Sequence, residues 1–286
     1  MRLNSKSPGI EYLREDYAKI IRDDVIAVIA SSPTKISPSA LEKQISARHG
    51  LSKKQIKTVI RDLVSTGEVT YTYDYGSSFL ERSFSKPVRI SKHIVLKAPD
   101  LRYRPEPGDV VVQIKPGASF GAGRHPTTRL ALNGIEWVFN QGWLTDSKQK
   151  NSVLDIGTGT GVLVIAAVLY GMKKGVGIDI DPCARAEAAA NVNINGLQDR
   201  IMISGQAVEN MDQRFSMITA NLRYPSLKKL YTRLADITRE QGAVILSGVR
   251  EHELKDLLAV YAQETFKPVW TAHELGWAGI VLLKSA

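Results

Sequence analysis

Residues 152–181 decide the fold, and they read SVLDIGTGTGVLVIAAVLYGMKKGVGIDID. A short apolar strand that ends at Asp155 is followed by glycines at alternate positions from 157 to 161 and then by an apolar helix. Gly171 closes this helix, and a second apolar strand, 175–180, follows it. The order of strand, glycine loop, helix and strand predicts one unit of a doubly wound α/β sheet.

The loop of this unit has the residues of a nucleoside-binding site. Gly157 and Gly159 allow a ligand to approach the backbone closely, and Asp179, at the end of the second strand, can accept hydrogen bonds from both hydroxyls of a ribose. NAD-binding loops have the pattern G-x-G-x-x-G, whereas this one is G-x-G-x-G preceded by Asp155. An acid before the loop would repel a pyrophosphate and suit the ammonium of an amino-acid-like ligand. The pattern therefore favours S-adenosylmethionine over a dinucleotide, with residues 157–159 close to its methionine part.

The rest of the C-terminal sequence continues the alternation of strands and helices. We expect strands at 200–204, 215–221 and 243–247, helices at 227–237 and 251–263, and a closing strand pair at 266–270 and 277–283. The strand at 215–221 ends in Asn221, whose polar side chain can face the methyl group of a cofactor bound at the carboxyl ends of the strands. Asn221 is therefore the candidate catalytic residue.

A distinctive loop, F-G-A-G-R-H-P-T-T, occupies residues 120–128. His125 precedes a proline and is thereby restricted to extended backbone, and the two threonines can cap a helix at 129–140. The segment is a tight loop at a helix start, a place suited to polar ligand groups. For His125 alone, a structural hydrogen bond is the alternative to a part in catalysis.

Three motifs together resemble the ribosomal protein L11 methyltransferase family. They are FGAGRHPTT, the pair DIGTGTG and GIDIDP, and ANL around Asn221. The resemblance covers about Pro116 to the end and implies a class I methyltransferase that uses S-adenosylmethionine to methylate amino groups of a large-subunit ribosomal protein. It also implies cofactor contacts for four residues, Thr128, Gly157, Asp179 and Asn221, and a lid loop over the cofactor that contains Phe120 and His125.

Two features depart from that family. Its members carry an N-terminal domain of ferredoxin-like build that recruits the ribosomal protein, and the residues after the asparagine are commonly I-L-A. Here the N-terminal sequence has another pattern, and residues 222–225 are Leu-Arg-Tyr-Pro. Both changes concern the selection of the methyl acceptor and not the binding of the cofactor. Tyr224 could line the acceptor pocket, or its role could be packing alone.

The first 96 residues predict a separate small domain. Helices are expected at 11–30, 38–48 and 53–66, followed by strands at 68–75 and 79–84. This order resembles a winged helix-turn-helix domain, with Lys53, Lys57 and Arg61 on the polar face of its third helix. Such a domain docks nucleic acid or protein. We therefore expect a docking domain at 1–96 and a methyltransferase domain at 97–286.

Composition restricts the cellular setting. The net charge is +9, and residues 1–95 hold 16 Lys and Arg against 10 Asp and Glu, which favours an acidic partner such as nucleic acid. There is a single cysteine, Cys183, and there is no apolar run of about 18 residues, which a membrane span needs. We expect a cytoplasmic protein with no membrane segment, no disulfide and no metal, since no Cys/His cluster has zinc spacing.

Three functions are compatible with these residues. The first is a protein N-methyltransferase that acts on a lysine or an N-terminal amine. The second is a nucleic-acid N-methyltransferase, which the residues after Asn221 favour less, because many such enzymes have Pro-Pro-Tyr there. The third is a winged-helix regulator that senses S-adenosylmethionine without turnover.

Overall fold

The computed structural model describes residues 8–32, 36–74, 76–83, 86–115, 125–142, 151–261 and 265–285. The chain divides into two compact units, Met1–Lys86 and Pro87–Ala286. Each unit has its own hydrophobic core, so we describe them one after the other.

The first unit consists of three helices followed by a hairpin. Its elements are α1 (Pro8–Ser31), α2 (Pro38–His49), α3 (Lys53–Ser65), β1 (Val69–Asp74) and β2 (Ser77–Arg82). The predicted order of elements is confirmed, and each end lies within three residues of its expected position. The backbone N–H of Leu80, in β2, also donates to the carbonyl of Ile36 at 2.9 Å, so the chain before α2 joins the hairpin through one bridge.

Local chemistry fixes α3 at both ends. The hydroxyl of Ser52 accepts from the Gln55 N–H, and the Gln55 side chain accepts from the Ser52 N–H, which forms a capping box. Gly50, in the left-handed region at φ 66°, ends α2 and turns the chain into this cap. The apolar face of α3, at residues 56, 60 and 63, is fully buried against α1 and α2.

The second unit begins with a small sheet. It contains β3 (Val88–Arg89), β4 (Ile94–Lys97) and β5 (Val110–Gln113). Strand β4 pairs antiparallel with β3 and parallel with β5. The second unit begins at Pro87, ten residues before the expected boundary, and strands β3, β4 and β5 pair with one another within it.

The main sheet of the second unit has seven strands. The elements of this part are α4 (Pro126–Asn140), β6 (Ser152–Ile156), α5 (Val162–Tyr170), β7 (Lys174–Ile178), α6 (Pro182–Ile194), β8 (Ile201–Ser204), β9 (Phe215–Asn221), α7 (Tyr224–Ile237), β10 (Thr238–Arg250), α8 (Glu251–Tyr261), β11 (Phe266–Glu274) and β12 (Trp277–Lys284). The strand order is β11-β12-β10-β9-β6-β7-β8. Strand β12 runs antiparallel to both neighbours, whereas β6 to β10 are mutually parallel.

The two faces of this sheet bury different helices. Leu246 of β10 belongs to the core cluster that contains Leu234 of α7 and Leu257 of α8. Its neighbour Ile245 points to the other face, where a Cβ at Gly134 of α4 would lie 2.9 Å from Ile245 Cγ2. Helices therefore cover both faces, and the expected α/β fold is confirmed. Among the described residues, no helix is long and apolar enough to span a bilayer.

Four predicted elements of the second unit differ from the observed ones by three or more residues at an end. Helix α4 begins at 126 and not at 129, strand β11 ends at 274 and not at 270, and α7 and β10 differ as well. Helix α7 begins at Tyr224, three residues earlier than expected, because Pro225 suits the first turn of a helix, where its missing N–H is not needed. Strand β10 runs from 238 to 250 and not from 243 to 247, since both ends continue to pair with neighbouring strands.

Candidate functional site

The glycine loop joins β6 to α5 at the carboxyl edge of the sheet. Gly157, Gly159 and Gly161 adopt φ values of 70°, 54° and 81°, which side chains rarely allow. The N–H groups of Gly157 and Thr158 both donate to the carbonyl of Ile178, at 2.9 Å, so the loop is bonded to the end of β7. The alternating glycines are therefore required by the backbone conformation, and Gly157 also lies against the Leu222 side chain, where a Cβ would be 2.5 Å from Leu222 Cδ2.

Asp155 lies beneath this loop. Its carboxylate is buried in a residue only 1% exposed, and its oxygens accept from the hydroxyls of Thr158 and Thr219, each at 2.7 Å. Burial raises the pKa of Asp155 to about 6, against the lowering effect of these hydrogen bonds. The sequence predicts that Asp155 meets the ammonium of a ligand. In the structure its carboxylate accepts from two threonines, in a position to hold the loop on strands β6 and β9.

Asp179 ends the second core strand, as expected, and lies against the loop. Its Oδ2 accepts from the Gly159 N–H at 2.9 Å, and its Oδ1 accepts from the Asp181 N–H at 3.0 Å. These two backbone donors fix the orientation of a half-exposed carboxylate at the sheet edge. A carboxylate held in this way can receive the hydroxyl protons of a ribose.

Ile180 is a further candidate site residue, which the sequence motifs did not indicate. It follows Asp179 directly and is 94% exposed, the highest value among the exposed large hydrophobic residues. An aliphatic side chain in water beside Asp179, the candidate ribose-binding acid, can provide an apolar surface for a flat base. The signal was present in the sequence, since Ile180 is the apolar residue between Asp179 and Asp181, after the strand has ended.

The first turn of α4 meets the ends of β9 and β10. The Ser247 hydroxyl donates to the Thr127 carbonyl at 2.8 Å, and Asn221 Nδ2 donates to the Thr128 hydroxyl at 3.4 Å. Asn221 and Ser247 are paired residues of adjacent parallel strands. Two hydrogen bonds from neighbouring strand ends thus hold the start of α4 beside the candidate catalytic residue.

His125 is the cap of α4. Its Nδ1 accepts from the Thr127 N–H at 3.3 Å and lies 2.8 Å from the Thr127 hydroxyl. Burial, together with the charges of Arg129 and Arg250, lowers the pKa of His125 to about 4. The imidazole is therefore neutral at pH 7, and the helix cap places its proton on Nε2, so His125 is not poised to remove a proton from an acceptor.

An aromatic and cationic cluster borders this turn. The His125 ring packs edge-on against Trp277 with centroids 4.9 Å apart, and the guanidinium of Arg250 lies 3.7 Å from the centre of the Trp277 ring. Arg129 is paired with Glu274, with its Nε donating to the carboxylate at 2.7 Å. The side of the site next to β10 and β12 is thus built from guanidinium groups and rings, unlike the side that carries Asp179.

The structure brings most of the predicted site residues together in two groups. Gly157, Gly159 and Asp179 meet at the glycine loop with Asp155 beneath them, and His125, Thr128 and Asn221 meet at the start of α4. Phe120 lies outside the described residues, as does the FGAGR part of its loop. Tyr224 is half-buried and packs on the core cluster at the start of α7.

These residues fit S-adenosylmethionine. Asp179 matches the ribose, the exposed face of Ile180 matches the adenine, and the glycine backbone of residues 157–159 runs beside them to the start of α5. In the described part of the chain, no group of three His, Cys, Asp or Glu side chains is arranged to hold a metal ion. The donor set is therefore that of a nucleoside and amino-acid ligand.

Strand β12 runs antiparallel between β10 and β11, Asp179 follows β7, and Asn221 is the last residue of β9. This arrangement defines the second unit as a class I methyltransferase fold. A family model described as ribosomal protein L11 methyltransferase (PrmA) matches residues 52–285. The chain therefore belongs to the ribosomal protein L11 methyltransferase family, and S-adenosylmethionine is the cofactor of this class.

Individual relatives agree with this assignment. A ribosomal protein L11 methyltransferase of Geobacter sp. (strain M21) is 36% identical over 193 residues, which cover 68% of this chain and 62% of the relative. That of Citrifermentans bemidjiense has the same identity and coverage. The crystal structure of a ribosomal protein L11 methylase from Lactobacillus delbrueckii subsp. bulgaricus superposes with a TM-score of 0.61 at 27% identity, and it covers 70% of this chain and 99% of that one. The match thus spans about 62% of the length of the first two relatives.

Proposed function

We propose that the protein is an S-adenosylmethionine-dependent N-methyltransferase whose acceptor is an amino group of a ribosomal protein, with L11 as the first candidate. The observation that carries the proposal is the family match over 52–285, together with the Asp179 and Asn221 strand ends in that stretch. We also propose a cytoplasmic location, because ribosomal proteins are the proposed acceptors.

The cofactor would lie across the carboxyl ends of β6 and β7. Asp179 would bind its ribose, Ile180 would cover one face of its adenine, and the backbone of Gly157 and Gly159 would border its methionine part. The cofactor supplies a methyl group on a sulfonium centre, so the transfer needs alignment of the acceptor more than acid–base help. In this proposal Asp155 is a positioning residue, because its hydrogen bonds with Thr158 and Thr219 hold the loop.

Asn221 would orient the acceptor amine. Its Nδ2 is turned to the Thr128 hydroxyl, so its Oδ1 is the atom that can accept a hydrogen bond from an amino group. A lysine acceptor must first lose a proton, and its reference pKa is about 10.4. Because Arg129 and Arg250 act on this side of the site, their positive charge would favour the neutral amine, and the proton would leave to water.

The direct test combines the purified full chain, ribosomal protein L11 of the same organism and tritiated S-adenosylmethionine. We expect label in L11, and mass spectrometry should locate it on lysine or the N-terminal amine. Asp179→Ala should abolish transfer, whereas Asp236→Ala, which removes an exposed acid of α7, should leave it unchanged.

A cell extract that lacks the protein separates the other functions. Label that survives nuclease but not protease supports a protein acceptor. Label that nuclease removes would establish the nucleic-acid methyltransferase. Binding of the cofactor without any transfer would favour the winged-helix regulator.

We further propose that the first unit is a winged-helix docking domain that binds nucleic acid. The order of three helices and a hairpin, with the Ile36–Leu80 bridge, supports the winged-helix interpretation. Lys53, Lys57 and Arg61 are exposed on one face of α3. The shortest ion pair described for them is 3.9 Å, from Lys57 to Glu42, so their charge is poorly neutralised and is available to phosphates.

Salt dependence tests this second proposal. The logarithm of the affinity for a 20-base-pair duplex should fall linearly with the logarithm of the salt concentration. Replacing Lys53, Lys57 and Arg61 by alanine should reduce that slope by about three, one for each lost phosphate contact. Lys43→Ala, on the exposed side of α2, is the control. An unchanged slope in the triple variant would make α3 a protein-docking face or a solvated one.

A further inference from the structure

A cavity that is shallow and widely open to solvent lies outside the cofactor site, between α4 and β11 of the second unit. Its volume is about 470 Å³, and its walls come from α4 between Leu130 and Asn140, from β11 between Trp270 and Glu274, and from residues 91–92 before β4. This volume is within the range of small-molecule and side-chain pockets. None of the residues used above to hold the cofactor or the acceptor amine lines it.

Two tryptophans face this cavity from different elements. Trp137 of α4 and Trp270 of β11 have ring planes 30° apart and centroids 6.4 Å apart. Indole faces attract cations, and a guanidinium stacks on them better than an ammonium because it is planar and weakly hydrated. The aromatic walls therefore favour an arginine side chain.

Glu136 supplies the complementary charge. It lines the cavity, is 5% exposed, and its Oε1 lies 2.6 Å from His93 Nδ1. Its Oε2 is buried and has no hydrogen-bond partner among the described residues. A buried carboxylate with unused acceptor capacity is costly, so a cation that enters the cavity and meets it after a small rotation of the side chain would be stabilised.

The other charged groups around the cavity are paired or exposed. Glu274 is paired with Arg129 at 2.7 Å, and His273 lies 3.4 Å from Glu251. Lys92 is exposed at the rim, where water and salt screen its charge. Glu136 is buried and its Oε2 has no described hydrogen-bond partner, so it is the group that sets the preference of the cavity for a cation.

The cavity continues the acceptor side of the site. Its near end contains Leu130 and Glu274, and Glu274 is bonded to Arg129, one helical turn from His125. From His125 to Trp137 is twelve helical residues, or about 18 Å. An extended peptide spans that distance with about five residues.

We propose that this cavity binds an arginine side chain of the protein acceptor, about five residues from the amino group that is methylated. The proposal rests on the proposed protein methyltransferase function. It adds a specificity site, because a cation stacked on the tryptophan rings and paired with Glu136 would fix the register of the acceptor chain on α4.

Binding is tested first without methyl transfer, by following the indole ¹⁵N signals of the full chain. Trp137→Phe and Trp270→Phe assign two of the four tryptophan signals. Titration with the tripeptide amide acetyl-Ala-Arg-Ala should shift both signals saturably, and Glu136→Gln should weaken this binding at least fivefold. Glu209→Gln, at an exposed acid of the same unit, is the control. Absent shifts, equal shifts with acetyl-Ala-Glu-Ala, or equal affinity for acetyl-Ala-Lys-Ala would overturn the arginine assignment.

Kinetics with full-length L11 then test the link to the acceptor. Glu136→Gln and Trp270→Ala should each raise KM for L11 about tenfold, keep kcat within twofold and leave the affinity for S-adenosylhomocysteine unchanged. An unchanged KM in both variants refutes the proposal. If no acceptor is methylated while the arginine tripeptide still shifts both signals, the methyltransferase proposal fails instead, and L11 is removed as the source of the arginine.

Discussion

Replacing Asp155 by asparagine should change how the stability of the second unit depends on pH. The carboxylate is buried and accepts hydrogen bonds from Thr158 and Thr219. Asparagine has nearly the same shape, and the threonine hydroxyls can turn to accept from its amide. The substitution therefore removes the titrating group with little change in packing.

The direction of the pH dependence follows from the pKa values of Asp155 in the folded and unfolded states. Burial raises the folded-state pKa of Asp155 to about 6, above the unfolded value of about 3.9. Between these values the native state binds more protons than the unfolded state, so stability falls as pH rises. At pH 8 the free energy of unfolding should be about 2.9 kcal/mol lower than at a pH well below both pKa values. About 1.4 kcal/mol of this decrease should occur between pH 5 and pH 8.

The assay is guanidinium unfolding of the wild type and Asp155→Asn at pH 5, 6, 7 and 8, followed by tryptophan fluorescence. All four tryptophans lie in the second unit, so the signal reports that unit alone. The free energy of unfolding of the wild type, minus that of the variant, should fall by about 1.4 kcal/mol over this range. Asp236→Asn, at an exposed acid, should show no such trend. A difference that stays constant or grows with pH would mean that hydrogen bonding outweighs burial and that Asp155 is ionised already at pH 5.

Three further predictions concern the site. Asp179→Ala should weaken S-adenosylhomocysteine binding more than tenfold by calorimetry and shift the melting temperature little, because the carboxylate is half-exposed; unchanged affinity would remove it from the site. Gly248→Ala places a Cβ against the Leu222 carbonyl oxygen in a residue with φ 88°. It should therefore lower the free energy of unfolding by more than the roughly 1–2 kcal/mol that left-handed strain alone costs. Gly196→Ala is the control for that strain, because a Cβ there would have nothing within 4 Å. Ser247→Ala breaks the buried bond to the first turn of α4 and should cost about 1 kcal/mol in thermal unfolding; methyl transfer should fall as well, and full activity would show that α4 needs no such anchor.

Local patterns predicted the elements and the strand-end residues of the site. Asp179 and Asn221 were found because an apolar run that stops at a polar residue marks the end of a strand, and parallel strands bring such ends to one edge. The glycines of the loop were found for a similar reason, since their spacing implies a backbone that excludes side chains. These features depend on residues that are close in the sequence.

The features that were missed depend on distant pairing. The direction of the Asp155 carboxylate is set by Thr219, 64 residues away, because β6 and β9 are neighbours. The anchoring of α4 by Ser247 joins residues 120 apart. The position of the boundary at Pro87 follows from the pairing of β4 with β5. No local periodicity contains such information.

Leu222 explains how the acceptor side can vary while the cofactor side is kept. Its side chain fills the space in front of Gly157, where a Cβ would lie 2.5 Å from Leu222 Cδ2, and its N–H donates to the Ser247 carbonyl at 3.1 Å. Gly248 lies against its backbone. The first residue after Asn221 is therefore confined to an aliphatic side chain on a fixed backbone. The next positions, from Arg223 onward, are exposed or half-buried at the start of α7, so they can differ between relatives and select the acceptor without disturbing the glycine loop.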